Sequence, residues 1–320
     1  MILQIYLIYM KKIVPLILLA FLCIYYGCKK DQVLDCNQYS NDFTVDSTKI
    51  SRKVIIIGID GFRSDAMQQS ICPFMYNLSL NNNVYYTPNH IVEGDTYSGP
   101  NWSSLLTGVH YDKHSVTDNS FVGSDYTQYP PFFNYIEKIS SNINTASIVN
   151  WTPINEFTLP NSVDYAPQES INDSIVFEEV KELLINSNPL SPDILFIHFD
   201  ELDATGHTYG FSPFIEEYKS TLNRIDSYVN GIFNIIENKR LDGEDWICFI
   251  VSDHGGVGTS HGDANNPKVN KTIFYAQHPT VEFKANYTSN QTDLAATILN
   301  FLGISNPEFD CKTDGISIIE

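Results

Sequence analysis

Asp60 ends the apolar run Val54 to Ile59 and is followed at once by Gly61, so a carboxylate stands where a buried segment gives way to a turn. An unpaired buried carboxylate is costly, so a cation or a hydrogen-bond network should meet it there; the plainer alternative is that it only caps the turn. Asp203 and His207 are four residues apart, which places a carboxylate and an imidazole on one face if the segment is helical. Asp200, Glu201 and Asp203 crowd three acids into four residues, an arrangement that repels itself unless a cation lies among them. Ser252-Asp253-His254 directly follows the run Trp246 to Val251, and His261 comes seven residues after His254. Carboxylate and imidazole in that combination suit zinc. Ser98, before Gly99-Pro100, reads as a helix N-cap, which is ordinary work for a serine. A hydroxyl at that place also faces free backbone N–H groups of the kind that hold phosphate.

These residues need elements to position them. From Lys53 onward, apolar strand-like runs alternate with helical patterns, as in a parallel sheet covered by helices on both faces. The expected strands are Val54–Ile59, Ala146–Asn150, Ile194–Phe199, Trp246–Val251 and Thr272–Tyr275. The expected helices are Gly99–Thr107, Pro131–Ser140, Ile175–Ile185, Pro213–Glu237 and Asp293–Leu302. The longest carries Ile215, Tyr218, Leu222, Ile225, Val229, Ile232 and Ile236 at three-to-four spacing, a stripe that belongs to a core. The fold class that follows is α/β, a three-layer sandwich with a mostly parallel central sheet. Asp60 and Asp253 would then stand at the carboxyl ends of strands, where such sheets collect their ligand groups.

Composition narrows the function. Aromatic residues are 13% of the chain and Gly and Pro are ordinary, so the chain is globular. The formal net charge of −19 should repel nucleic-acid polymers and anionic membranes, although bound cations would make one pocket locally positive. At the N-terminus Lys11-Lys12 precede Ile13 to Tyr26, a run too short for a comfortable membrane span. It ends in Gly27-Cys28, which resembles a bacterial lipoprotein signal with Cys28 as the lipidated residue. Tyr25-Tyr26 depart from the usual pattern, Met10 offers a second start, and an uncleaved anchor is the other reading. Both readings export the protein. The expected organisation is a signal peptide at 1–27, a tether at 28–51 and one catalytic domain at 52–320.

The cysteines outside the signal and Cys28 are Cys36, Cys72, Cys248 and Cys311, with no CxxC pair, so cysteine-ligated zinc is disfavoured. Cys248 sits in an apolar strand. A disulfide between Cys36 and Cys311 remains open beside pairings with Cys72.

Taken in order, these motifs resemble those of the alkaline phosphatase superfamily, and within it the type I phosphodiesterase and nucleotide pyrophosphatase branch. The resemblance runs from Lys53 to about Ser317 and includes Thr292-Asp293-Leu294-Ala295-Ala296-Thr297, Gly303 and Asp314-Gly315. It implies two divalent metal ions, most simply zinc. One would be held by Asp60, Asp253, His254 and the nucleophile Ser98, the other by Asp203, His207 and His261. Asn119, in His114-Ser115-Val116-Thr117-Asp118-Asn119, would contact a phosphoryl oxygen together with N–H groups near Gly99. The implied activity is hydrolysis of phosphate diesters or nucleotide pyrophosphates through a phosphoserine, with a small-molecule phosphate ester as substrate.

Departures from the family pattern bear on the branch. Its nucleophile is commonly Thr, a long insertion usually precedes the last His, and phosphomonoesterases often clamp phosphate with Arg or Lys, whereas Trp151-Thr152-Pro153-Ile154-Asn155 offers no cation. The scarcity of Arg tilts the reading toward diesters. A phosphomonoesterase, phosphonate hydrolase or phosphoethanolamine transferase on the same site is the alternative. A sulfatase is disfavoured because Ser98-Gly99-Pro100-Asn101-Trp102 has Trp where the sulfatase motif has Arg. A noncatalytic binding protein is disfavoured by the intact ligand positions. Most of His90, His110, His114, His198 and His278 are expected to be structural, Asp200 rivals Asp203 as a ligand, and Asp65, Asp95, Trp151 and Tyr165 receive structural readings.

Overall fold

A computed structural model describes residue 36 and residues 44–49, 51–139, 142–185 and 188–320. The expected signal at 1–27, Cys28 and most of the tether lie outside the described residues. The strands are β1 (Thr44–Val45), β2 (Lys53–Ile59), β3 (Val84–Ile91), β4 (Thr145–Val149), β5 (Ile194–Phe199), β6 (Trp246–Val251), β7 (Lys271–Gln277) and β8 (Ile304–Ser305). The helices are α1 (Pro73–Leu78), α2 (Ser98–Thr107), α3 (Tyr111–His114), α4 (Phe132–Glu137), α5 (Asp173–Leu183), α6 (Glu201–Tyr209), α7 (Glu216–Leu241), α8 (Asp293–Phe301) and α9 (Pro307–Lys312).

The main sheet runs β3-β7-β6-β2-β5-β4, with β6, β2, β5 and β4 parallel and β7 antiparallel to both its neighbours. β2 lies at its centre. Its side chains alternate between two cores, as a period of two requires. Ile55, Ile57 and Ile59 face the core built with α5 and α7, which includes Val176, Val180, Leu222, Ile225 and Val229. Val54 and Ile56 face the opposite core with α2, α4 and α8, through Trp102, Leu105, Phe132, Leu294 and Ile298. Each fully buried Ile of β2 is worth about 1.5–3 kcal/mol of transfer free energy. Layers of helix, sheet and helix result, as the alternating pattern predicts.

Each expected strand and helix is present, with ends displaced by a few residues. The stripe on α7 is buried from Tyr218 to Ile236, while Ile215 precedes the helix as its N-cap residue. The sequence pattern missed β3 and α6. β3 contains Pro88, and its pairing with β7 shifts register between Thr87 and His90. Proline is tolerated there because β3 is the sheet's edge. Cys72 and Cys248 are free buried thiols, which removes Cys72 from the open pairings, while Cys36 and Cys311 each take part in a disulfide. No helix among the described residues is long and apolar enough to cross a membrane.

Candidate metal and active site

The parallel strands end on one side of the sheet, and the chemistry gathers there. Asp60 follows β2 directly, and Asp253 and His254 follow β6; all three are fully buried. Ser98 is the first residue of α2. Its role differs from the N-cap expected of it: Tyr97 is the cap residue and makes no side-chain cap bond, so the Ser98 hydroxyl is left for the site. Ser98 Oγ lies 3.3 Å from His254 Nε2 and 3.5 Å from Asp60 Oδ1. His254 Nε2 is 3.5 Å from Asp60 Oδ1 and 3.2 Å from Asp253 Oδ2.

Asp203 and His207 sit one turn apart on α6, with His207 Nε2 3.3 Å from Asp203 Oδ2. α6 is made of mediocre helix formers, and Asp173 anchors its start. One Asp173 oxygen accepts from the backbone N–H of Asp200 and the other from that of Glu201, at 2.9 and 3.2 Å. Asn150 at the end of β4 steadies Asp173 through a 2.7 Å bond. His261 reaches the same place from the loop after β6; its ring stacks on His254 at 3.9 Å between centroids and lies 4.9 Å from His207.

The three imidazoles are oriented alike. Nδ1 of His254, His261 and His207 bonds to the carbonyl oxygens of Gly255, Thr96 and Thr259 at 2.8, 2.7 and 2.9 Å. A carbonyl only accepts, so each Nδ1 carries the proton and Nε2 faces the cluster. Thr96 returns a second bond through its hydroxyl to the His261 carbonyl. Asn119 is fixed by Gly99, whose N–H donates to Asn119 Oδ1 at 2.8 Å. That bond consumes the Gly99 N–H expected to hold phosphate. A Cβ on residue 99 would stand 2.7 Å from the Asp118 carbonyl oxygen, so only glycine admits this approach.

Charge in the cluster is unbalanced. Burial pushes Asp253 far above the ordinary carboxylate range, and the neighbouring Asp60 charge adds to the push. Asp203 is raised for the same reason. Asp60 goes the other way: burial opposes its charge, but hydrogen bonding to His198, the positive potential of His254 and His198, and the Trp102 N–H hold it well below its usual range. Burial lowers His254 and takes His261 down to about 4, while the bond to Asp203 lifts His207 to about 9. Two buried oxygens, Asp203 Oδ1 and Asp253 Oδ2, have no hydrogen-bond partner. Carboxylates crowded this way beside imidazole nitrogens that face them fit divalent cations.

Ligand atoms of Asp203, His207 and His261 all lie within 4.8 Å of one another, as do those of Asp60, Asp203 and His254. The structure thus brings Asp60, Ser98, Asp203, His207, Asp253, His254 and His261 to one place. Asp200 forms a third such group with Asp60 and His198. His198 received a structural reading from sequence; its Nε2 lies 3.1 Å from Asp60 Oδ2. The available clue was a histidine inside an otherwise apolar strand. Asp65 pairs with Arg63 at 2.6 Å, and Arg63 also donates to the Phe211 carbonyl, so neither serves the cluster.

Bis(5′-adenosyl)-triphosphatase ENPP4 of Bos taurus is 23% identical over 265 residues, covering 70% of this chain and 57% of that protein. A pyrophosphatase/phosphodiesterase of Schizosaccharomyces pombe is 24% identical over 227 residues, covering 65% of this chain and 45% of that one. The chain spans about half the length of these curated relatives. Among solved structures, murine ectonucleotide pyrophosphatase/phosphodiesterase 5 superposes with a TM-score of 0.60 at 17% identity, covering 80% of this chain and 96% of that chain. A putative sulfatase from Bacteroides thetaiotaomicron shares the fold, with a TM-score of 0.65 at 14% identity over 84% of this chain and 74% of that one. The family model for type I phosphodiesterase / nucleotide pyrophosphatase matches residues 54–278, well over half of the sequence, and the chain belongs to that family.

Proposed function

We propose that the protein hydrolyses phosphate diesters or nucleotide pyrophosphates through a covalent phosphoserine on Ser98. The observation that carries this is the convergence of a helix-start hydroxyl with carboxylates and backbone-oriented imidazoles, the His254 Nε2 lying 3.3 Å from that hydroxyl. Asp60, Asp253, His254 and Ser98 Oγ would hold one divalent cation, and Asp203, His207 and His261 a second. The donor set of histidine and aspartate suits zinc better than calcium. Bound there, the cations would supply the positive charge that makes a serine hydroxyl nucleophilic at neutral pH and neutralises the transferring phosphoryl group.

The chain's own residues do the rest. Ser98 Oγ, presented at the start of α2, gives up its proton and forms the bond to phosphorus as the bond from phosphorus to the leaving oxygen breaks, and the alcohol or nucleotide departs with that oxygen and a proton. The Asn119 amide nitrogen, aimed by the Gly99 bond, donates to a phosphoryl oxygen as charge builds there. Water then cleaves the phosphoserine and frees the hydroxyl. Arg63 is committed to Asp65 and the Phe211 carbonyl, which supports an ester with less charge to clamp, hence a diester over a monoester. A nucleotide as one ester group is consistent with the murine neighbour, an inactive threonine-to-alanine form of which is known in complex with AMP.

Residues 52–320 form the catalytic domain in this reading, exported and tethered through a lipid on Cys28. Several relatives are named ectonucleotide enzymes, which supports export. Elemental analysis of the purified chain, beside rates on bis(4-nitrophenyl) phosphate and 4-nitrophenyl phosphate, tests the activity. Bound zinc and a faster diester are expected; a faster monoester would move the reading to a phosphomonoesterase. Cys28→Ala should release the protein from membranes.

A further inference from the structure

Asp60 is the only residue of the candidate ligand set, among the described residues, with two side-chain N–H donors on the same carboxylate oxygen. Trp102 Nε1 donates to Asp60 Oδ2 at 2.9 Å, and His198 Nε2 lies 3.1 Å from that same atom. Carboxylate oxygens only accept, so the His198 nitrogen facing Asp60 must carry the proton. The opposite oxygen, Oδ1, is left toward Ser98 and His254. An aspartate carboxylate turns readily about its last torsion. Two donors on one oxygen remove that freedom.

The surroundings are built for this contact. Gly58 lies opposite His198 in the β2–β5 register, on the face of the sheet that Trp102 covers. A Cβ at Gly58 would stand 2.6 Å from Trp102 Cη2, so the indole can lie against β2 only because that residue is glycine. Glycine weakens a strand interior, and its place here coincides with a close approach, the usual reason for accepting one. The Trp102 ring meets His198 edge-on, 4.8 Å between centroids and 84° between planes. Trp102 and His198 are both fully buried, and His198 Nδ1 has no hydrogen-bond partner. The ring therefore gains nothing from a second polar contact, and its polar work is directed at Asp60.

We propose that Trp102 and His198 are positioning residues that clamp Asp60 Oδ2 and so preset Oδ1 as a cation ligand, with Gly58 making room for the indole. The idea rests on the metal reading of the site. Outer partners of ligating groups typically alter metal affinity by about 10–100-fold when removed. Trp102→Phe deletes the N–H and keeps the ring; His198→Leu deletes the other donor, and His198→Gln restores an amide donor.

The test is zinc affinity, by competition with a chromophoric chelator, together with zinc content at saturation, on the full chain and these variants. Melting in chelator reports on the fold alone. Trp102→Phe and His198→Leu should weaken the tighter-held zinc by about tenfold or more without lowering content at saturation, and His198→Gln should recover most of the loss. Affinities within twofold of wild type in both single variants would overturn the proposal, whatever happens to the melting temperature. Loss of a whole equivalent of zinc in His198→Leu also overturns it, because the imidazole would then be a ligand, in the group it forms with Asp60 and Asp200. Wild-type chain that takes up no zinc defeats the metal reading, and the clamp with it. Normal uptake by wild type beside unchanged variants defeats the clamp alone.

Discussion

Asp60, Ser98, Asp253 and His254 are sealed from solvent at strand ends and a helix start, whereas His207, on one turn of α6, leaves 43% of its side chain exposed. The sealed half inherits its geometry from the centre of the sheet, where β2 pairs on both sides. The open half depends on a short helix that Asp173 anchors and on a loop bringing His261. Burial strengthens every electrostatic contact in the first half and raises the cost of leaving it uncompensated. In the second, solvent reaches His207, while Asp203 and His261 stay largely covered. Such a division suits a reaction in which one group must be aimed while another accepts a departing or entering ligand.

Substitutions test that division, beginning with the largest effect. Ser98→Ala should lower the diesterase rate by about a thousandfold or more. Steady-state kinetics beside zinc analysis should show the open half still loaded; unchanged activity would remove Ser98 from its role. Asn119→Ala should cost about a hundredfold to a thousandfold in kcat with zinc content intact, since it deletes one donor to developing charge.

Acid should strike the supports of the sealed half. His90 is fully buried between Ser289 Oγ and Gln291 Oε1, and Gln291 in turn donates to the Asp253 carbonyl. Burial holds His90 down at about 4 against an ordinary 6.5. The unfolded chain therefore binds the extra proton first, so stability is full above pH 6.5 and falls as pH drops toward 4. That gap corresponds to a loss on the order of 3 kcal/mol. Urea unfolding at pH 7 and pH 4.5 should show a smaller loss for His90→Gln than for wild type; equal losses would detach His90 from the acid response. The smallest effect is the most direct comparison of the halves. Graded chelation should empty the Asp203, His207 and His261 half first, with affinities about tenfold apart, and a single concerted release would contradict the contrast.

The sealed half was the more legible in sequence. β2 and β6 are apolar runs from Val54 and Trp246 onward, so Asp60 and Asp253 announced themselves as carboxylates at their ends. α6 was harder, because Thr205, Gly206 and His207 are weak helix formers and the helix owes its start to Asp173, distant in sequence. β3 was hidden by Pro88, whose acceptability depends on an edge position that no local pattern reveals. The N-cap reading of Ser98 failed by one residue, within the range over which helix ends are hard to place. The partnership of Trp102 and His198 was invisible because it joins positions nearly a hundred residues apart, and only the strand register brings them together.

The carbonyls of Gly255, Thr96 and Thr259 that hold the three imidazoles belong to the main chain, and every amino acid supplies one. Replacing the side chains at those positions leaves the steering atoms in place. Such a centre can survive long divergence around it, keeping its aim in lineages whose neighbouring residues have drifted beyond easy alignment. Its partners would then leave little covariation for a comparison of sequences to find.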